Sequence, residues 1–342
     1  MKKTTIGQSF FIGFDGKNIN SFFNEVLEEW LPGGIILFTR NIGNQSEVID
    51  LIAQIIEKYK KNNAPLPFIG IDQEGGRVAR LKPPYPQFPP AWELTQCSEK
   101  EFEENYDAIF SLLKELCCNL DFLPVLDVLT NKENQVIGDR SYGNNPETVT
   151  KYAEKVIDST MKHNLVHCGK HFPGHGMTFA DSHHELPTSE ITEQELQEIH
   201  IQPYKNLIQK GKLDMIMTAH VLFNKVDKKP ATFSHYIIND ILRKKLGYEN
   251  IVITDDLEMN AIPIYIEENN LVNEGKKELK FINESVELSF QAGNDMALIC
   301  NTEAIVFEGL KSAYDKRKTL HPLLEISQQR IHRIKKKYQL ME

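Results

Sequence analysis

The stretch IVITDD, from Ile251 to Asp256, is a short run of apolar and β-branched residues that ends in two carboxylates. A near-continuous run of this kind is typical of a strand that is buried on both faces, as the strands of a parallel sheet are. The chain holds seven further runs of similar character, separated by helical segments. They are FFIGF (10–14), GIILF (34–38), FIGID (68–72), FLPVLD (122–127), HCGKHF (167–172), MIMTAH (215–220) and MALIC (296–300).

Strands that alternate with helices indicate parallel pairing through right-handed crossovers. Eight such units favour a barrel over an open sheet, so the predicted fold class is α/β, a single (β/α)8 barrel of the TIM type. No Gly/Ser-rich linker or shift in composition divides the 342 residues, which predicts a single domain over residues 1–342. The charged stretch 266–281 is longer than a crossover needs and is predicted to be a surface insertion with some helix.

Two of the intervening helices carry clear boundary signals. Asn145 can cap a helix that begins near Pro146 and presents an apolar stripe. Thr192 and Glu195 have the spacing of a capping box, and Pro203 predicts a kink or break in the helix that follows.

The bulk composition excludes several classes of partner. The net charge is −9, and Lys and Arg form no long block outside residues 330–337, which we interpret as the solvated face of a last helix; nucleic acid is not an expected partner. No secretory leader and no apolar run of about 18 residues is recognisable, so neither export nor a membrane partner is expected. Five cysteines without CxxC spacing argue against disulfides and structural zinc, and favour a reducing, cytoplasmic location.

Charged or ionisable side chains stand at the C-terminal ends of several of these runs, where a barrel of this type places its active site. Such groups are costly to desolvate unless they are paired or meet a ligand. Any one of them could be a purely structural hydrogen-bonding group, but their joint placement predicts a site at one mouth. They are Asp72, Lys170, His171, His220, Asp255 and Asp256.

The segment KHFPGHG (170–176), followed after four residues by DSH (181–183), resembles the signature of the β-N-acetylglucosaminidases of glycoside hydrolase family 3. The resemblance extends in the family's order over nearly the whole chain. The further matching segments are GGIILFTRNI (33–42), IDQEGGRVARL (71–81), PVLDV (124–128), GDRSYG (138–143), MTAHV (217–221), ITDDLEM (253–259) and AGNDMALICN (292–301).

This resemblance implies a retaining β-N-acetylhexosaminidase that removes terminal N-acetylglucosamine from small carbohydrates. It further implies a role in recycling peptidoglycan fragments in the cytoplasm, by an enzyme without metal or cofactor that we expect to be a monomer. The family's nucleophile corresponds to Asp255. From the residues alone Asp256 remains a rival, because adjacent side chains of a strand point to opposite faces.

The family's proton donor corresponds to His183, paired with Asp181 on the loop after strand five. An imidazole can give and take a proton near neutral pH, and a carboxylate can stabilise its protonated form. The neighbouring His184 is an alternative, and Met177 stands where the family often has an acidic residue. The family's sugar-binding set corresponds to Asp72, Arg80, Arg140, Lys170 and His171.

Other polar residues of the same motifs are expected to be structural. Glu74 and Arg77 are expected to brace the Gly-rich turn, Asp127 and Asp139 to tie loops together, and His175 to shape its turn. His220 could bind the sugar or serve the structure.

Three other functions are compatible with parts of the pattern. A metal-dependent hydrolase would use the cluster His171, His175, Asp181, His183, His184 and His220, but Pro173 and Gly174 break any helix that would align the first two. A phosphorylase on the same fold would pass the sugar to phosphate. A non-catalytic sugar-binding protein would not need a nucleophile and an acid/base pair together.

Overall fold

Eight parallel strands pair in chain order and close into a barrel in a computed structural model, which describes residues 1–179, 186–271 and 277–342. The last strand pairs with the first, with Phe11 opposite Leu298. This confirms the predicted (β/α)8 barrel. The strands are β1 (Phe10–Ile12), β2 (Gly34–Leu37), β3 (Phe68–Ile71), β4 (Leu120–Asp121), β5 (Val166–Phe172), β6 (Met215–Thr218), β7 (Ile251–Asp256) and β8 (Met296–Ile299).

Strand four is the one that the sequence misplaces. The prediction was 122–127, whereas β4 is Leu120–Asp121. The predicted segment still runs beside β5, since the Cys168 N–H donates to the carbonyl of Leu123 at 2.8 Å. Pro124 within it has no N–H to donate, which interrupts a regular ladder.

Helices follow the strands around the outside of the barrel. The longer ones are α1 (Ser21–Glu29), α2 (Gln45–Lys61), α3 (Glu99–Glu115), α4 (Pro146–Lys162), α5 (Gln202–Gln209), α6 (Tyr236–Lys245, with π-helical hydrogen bonds), α7 (Lys277–Ala292), α8 (Glu303–Asp315) and α9 (Arg317–Lys337). Shorter helices are Lys3–Gly7, Ala91–Leu94, Glu193–Glu195 and Ala261–Glu268, with a π-helical turn at Leu196–His200 and 3-10 turns at Thr39–Asn41, Gly138–Arg140 and Ala231–Phe233. Two short ribbons pair Gln73–Gly75 with Val78–Ala79 and Thr188–Ser189 with Leu222–Phe223.

The predicted helix boundaries are confirmed. Asn145 accepts a hydrogen bond from the Thr148 N–H at 2.9 Å at the start of α4. Thr192 and Glu195 form the capping box, and the helix is then interrupted before α5, which has Pro203 in its first turn. Of the predicted insertion 266–281, residues 272–276 lie outside the described residues, and helix flanks them on both sides.

Alternation along each strand divides the core into two parts. In β2, Ile35 and Leu37 belong to the cluster between barrel and helices, whereas Ile36 belongs to the barrel interior. Phe11 and Phe122 fill that interior edge to face, with ring centroids 5.3 Å apart. The barrel is therefore a packed core, and a ligand can only enter at its ends.

The C-terminal segment closes the N-terminal end of the barrel. Ile331 and Ile334 of α9 pack against the interior cluster, and the carbonyl of Leu340 accepts from the Leu66 N–H at 2.7 Å. Lys335 is fully buried and donates to Oε1 of Gln8 at 2.7 Å. The prediction that residues 330–337 form the solvated face of the last helix is therefore wrong at Lys335. In the described part of the chain, no helix is both long and apolar enough to cross a membrane.

Candidate active site

A cavity of about 450 Å³ lies at the C-terminal ends of the strands. Asp255 lines it, together with all five residues predicted to hold the sugar. The predicted acid/base pair, Asp181 and His183, lies outside the described residues, as does His184. The charged wall of the cavity is formed by Asp72, Glu74, Arg80, Arg140 and Lys170, together with the imidazole of His171.

Lys170 is the centre of the charged wall. Its Nζ lies 2.7 Å from Oδ1 of Asp72 and 2.7 Å from Oε1 of Glu74, and its side chain is only 3% exposed. The other oxygen of Asp72 accepts from Nη2 of Arg80 at 3.0 Å. Lys170 belongs to β5 and Asp72 follows β3, and both strands pair with β4, which brings these charges together.

Arg140 is held by a second buried carboxylate. Its Nε and Nη2 donate to the two oxygens of Glu74 at 2.8 Å and 2.9 Å. Glu74, expected to brace the Gly-rich turn, therefore pairs with two of the predicted sugar-binding residues. Arg77 does connect the turn to its surroundings, through an ion pair with Asp139 at 2.9 Å.

Opposite charges keep the carboxylates of Asp72 and Glu74 ionised at neutral pH. Burial by itself raises the pKa of Asp72, but the charges of Lys170 and Arg80 lower it by more, so it lies well below its ordinary value. In the same way Arg140 and Lys170 overcome the effect of burial and lower the pKa of Glu74 to about 2. Ionised groups form the stronger hydrogen bonds to a polar ligand.

Asp127 orients the imidazole of His171. The ring Nδ1 donates to Oδ2 of Asp127 at 2.7 Å, and Nε2 lies 3.4 Å from Nη2 of Arg140. Burial by itself raises the pKa of Asp127. The imidazole of His171 and the N–H of His175 lower it by more, so this pKa lies below its ordinary value. Asp127, expected only to tie loops, thus fixes the orientation of a predicted sugar-binding residue.

Asp255 is an ionised carboxylate at the end of β7. Burial raises its pKa, but His171, His220 and the N–H of Asp256 lower it to below its ordinary value. The Asp256 N–H donates to Oδ1 of Asp255 at 2.8 Å. A carboxylate that carries its charge beside the binding wall is chemically suited to attack an electrophilic carbon.

Asp256 has a different environment, although it also lines the cavity. Its carboxyl group accepts from the Cys300 N–H at 3.3 Å and from Nδ2 of Asn301 at 2.7 Å. Burial, reinforced by the charge of Glu258, raises its pKa to about 8. At neutral pH this group is mostly protonated. His220 bonds through Nδ1 to Thr232 at 2.7 Å and through Nε2 to the carbonyl of Asp256 at 3.0 Å.

Apolar side chains also line the cavity. They include Ile36, Phe38, Met217, Met259, Leu298 and Cys300. These residues were not predicted from the sequence, because nothing in a local pattern distinguishes an apolar residue that lines a cavity from one in the core below it. Phe38 also contacts the guanidinium of Arg80, which lies 5.2 Å from the ring centroid.

Among residues 1–179, 186–271 and 277–342, no group of three His, Cys, Asp or Glu side chains is placed to hold a metal ion. Three members of the predicted cluster, Asp181, His183 and His184, are not among them.

The family model described as the glycosyl hydrolase family 3 N terminal domain matches residues 3–334. A beta-hexosaminidase of Haemophilus influenzae is 34% identical over 307 residues, which cover 88% of this chain and 82% of the relative. A beta-hexosaminidase of Psychromonas ingrahamii is 36% identical over 293 residues, covering 84% and 81%.

Solved structures have the same fold. A family 3 β-N-acetylglucosaminidase from Paenibacillus sp. aligns with a TM-score of 0.90 at 31% identity; the alignment covers 99% of this chain but only 63% of that one. Native NagZ from Neisseria gonorrhoeae aligns with a TM-score of 0.74 at 27% identity, covering 95% and 97%.

Proposed function

The chain belongs to glycosyl hydrolase family 3 and is a glycoside hydrolase, and from that premise we propose that it is a retaining β-N-acetylhexosaminidase acting on terminal β-linked N-acetylglucosamine. One observation carries the proposal: the ionised Asp255 and the charged wall around Lys170 line the same cavity of about 450 Å³. That volume lies in the range of small-molecule sites. NagZ of Neisseria gonorrhoeae, 28% identical, was solved in complex with N-trifluoroacetyl-D-glucosamine, a ligand of the same chemical class.

Asp255 is the proposed nucleophile. Retention requires a carboxylate that attacks the anomeric carbon and forms a covalent glycosyl-enzyme, which water then hydrolyses. The pKa of Asp255 below its ordinary value supports this role, whereas the pKa of Asp256, near 8, favours a neutral carboxyl group engaged with β8.

The charged wall is the proposed sugar-binding site. Asp72 would accept hydrogen bonds from hydroxyl groups, and Lys170, Arg140 and Arg80 would donate to hydroxyl oxygens. His171, with its ring oriented by Asp127, would complete the set. Charge-assisted bonds from a preformed wall orient the sugar so that its anomeric carbon meets the nucleophile.

His183 is the proposed general acid, with Asp181 as its partner. The proposal for these residues rests on the match of the DSH segment to the family's motif. The imidazolium would protonate the leaving oxygen, and the neutral imidazole would then remove a proton from water in the second step.

The proposed substrates are peptidoglycan fragments that carry terminal N-acetylglucosamine, degraded in the cytoplasm during cell-wall recycling. The proposed catalytic unit is a monomer whose single domain spans residues 1–342. Names of relatives support the hexosaminidase activity, and the family resemblance supports the physiological role.

Trapping of the covalent intermediate tests the mechanism. The enzyme is incubated with a 5-fluoro-N-acetylglucosaminyl fluoride, digested and analysed by tandem mass spectrometry. We expect the sugar to be attached to Asp255. A sugar adduct on Asp256, or elsewhere in an enzyme that is active, would contradict the assignment of the nucleophile. Product analysis with and without phosphate separates hydrolysis from phosphorolysis, because only a phosphorylase releases the sugar 1-phosphate.

A further inference from the structure

The imidazole of His175 carries a buried polar atom without a partner. The residue lines the cavity and is 3% exposed. Its Nδ1 contacts Oγ1 of Thr178 at 2.9 Å, whereas its Nε2 has no hydrogen-bond partner within the part of the chain that the structure describes. Leaving a buried polar group unpaired costs free energy, so such a group in a ligand cavity points to a partner that arrives with the ligand.

Neighbouring residues hold the main chain of His175 in place. Its N–H donates to Oδ1 of Asp127 at 2.6 Å, and its carbonyl accepts from Nδ2 of Asn134 at 2.8 Å. Close packing requires a glycine next to it, since a Cβ on Gly176 would lie 2.1 Å from the carbonyl oxygen of Val128. Turning the ring toward another partner would break the contact of its Nδ1 with Thr178.

The charge state of His175 restricts what its Nε2 can bind. Burial lowers its pKa to about 4, so the imidazole is neutral at pH 7. A neutral imidazole offers one donor and one acceptor. It therefore suits a neutral hydroxyl group, which can both donate and accept, better than an anion.

His175 is also close to the predicted sugar-binding residues. Its ring centroid lies 6.1 Å from that of His171, in an edge-to-face arrangement, and Nε2 of His171 lies 3.4 Å from Arg140. We propose that His175 is a further substrate-binding residue, whose Nε2 hydrogen-bonds one hydroxyl group of the terminal sugar on the His171 side of the cavity. This inference rests on the proposed function for the identity of the sugar.

Deoxygenated substrates test the contact directly. We compare kcat/KM for 4-nitrophenyl N-acetyl-β-glucosaminide with its 3-deoxy, 4-deoxy and 6-deoxy forms, in the wild type and in His175→Phe, which keeps a planar ring. In a site that hydrogen-bonds a substrate hydroxyl, removing either the hydroxyl or the protein group that binds it lowers kcat/KM strongly. We expect His175→Phe to lower kcat/KM about 10-fold to 100-fold on the parent sugar, and by less than about 2-fold on one deoxy sugar, whose missing hydroxyl is the partner.

Two further variants separate binding from structure. His175→Gln keeps a polar group near the position of Nε2 and should recover part of the activity, even if His175→Phe folds poorly. Thr178→Val removes the partner of Nδ1 and should lower activity by the same factor on all four sugars. An equal loss on all four sugars in both His175 variants would overturn the proposal. If the wild type itself releases no 4-nitrophenol from the parent, the proposed function fails instead.

Discussion

The guanidinium of Arg140 meets the carboxylate of Glu74 at two points, at 2.8 Å and 2.9 Å, with side chains 11% and 3% exposed. Lys170 adds a third contact to the same carboxylate at 2.7 Å. Replacing Glu74 by Gln would leave two buried cations with one carboxylate fewer. We expect Glu74→Gln to lower the free energy of unfolding by about 3–5 kcal/mol and kcat/KM by more than about 10-fold.

Arg77→Gln is the matched control for that prediction. The Arg77–Asp139 pair has a similar distance, 2.9 Å, but its side chains are 46% and 43% exposed. Water screens such a pair, so the change in unfolding free energy should stay below about 1 kcal/mol. Urea denaturation measures the free energy of unfolding of Glu74→Gln and Arg77→Gln. Equal losses of unfolding free energy in the two variants would contradict the assigned role of burial.

The stabilisation by Glu74 should disappear in acid. Its folded pKa, about 2, lies below the ordinary value of 4.5. The stabilisation is therefore present above about pH 4.5 and lost as the pH falls toward 2. The difference in unfolding free energy between wild type and Glu74→Gln should shrink between pH 7 and pH 3, and a constant difference would show that charge is not its source.

Asp255 and Asp256 should differ sharply in their effect on activity. Asp255→Asn removes the proposed nucleophile and should lower kcat on an aryl N-acetyl-β-glucosaminide by about 10³-fold or more. Asp256→Asn replaces a carboxyl group that is mostly neutral at pH 7, so we expect less than about 10-fold. Azide should rescue Asp255→Gly and yield the α-glycosyl azide. The reverse order of effects would reassign the nucleophile.

Asp121 should make the protein less stable as the pH rises. Its Oδ1 accepts from the Gln73 N–H at 3.1 Å, and its Oδ2 has no partner among the described residues. Burial raises its pKa from 3.8 to about 8. Its contribution to stability is therefore full below about pH 3.8 and falls as the pH rises through 8.

Asp121→Asn removes this titration. The variant should lose less unfolding free energy than the wild type between pH 5 and pH 8, by at least about 1 kcal/mol, as measured by urea denaturation. Asp139→Asn is the control for the same substitution at a half-exposed site. Parallel curves for wild type and Asp121→Asn would mean that Asp121 is ionised in the folded protein.

The neighbouring histidines His183 and His184 can be distinguished by their dependence on the leaving group. Loss of the general acid should lower kcat/KM about 10²-fold to 10⁴-fold on an alkyl glycoside, which needs protonation of its leaving oxygen. The loss should be much smaller on a 2,4-dinitrophenyl glycoside. We expect this pattern for His183→Gln and near-normal activity for His184→Gln, and the opposite result would move the role to His184.

Local patterns predicted most of the fold. Seven apolar runs coincide with strands, and Asn145 caps its helix as expected. Strand four was misplaced because Leu123 and the residues after it look like a strand but contain Pro124. The buried Lys335 was missed because the nearby cations Arg333, Lys336 and Lys337 are exposed and only the closure of the barrel end covers Lys335.

The sequence alone established which residue types stand at the strand ends, because strand and helix periods and the chemistry of a motif are local properties. The tertiary structure decided the pairing and charge of those residues. Glu74 and Arg140 are separated by 66 positions, and Asp72 and Lys170 by 98. Their ion pairs, and the unlike pKa values of the adjacent Asp255 and Asp256, depend on distances and burial that exist only once the barrel has closed.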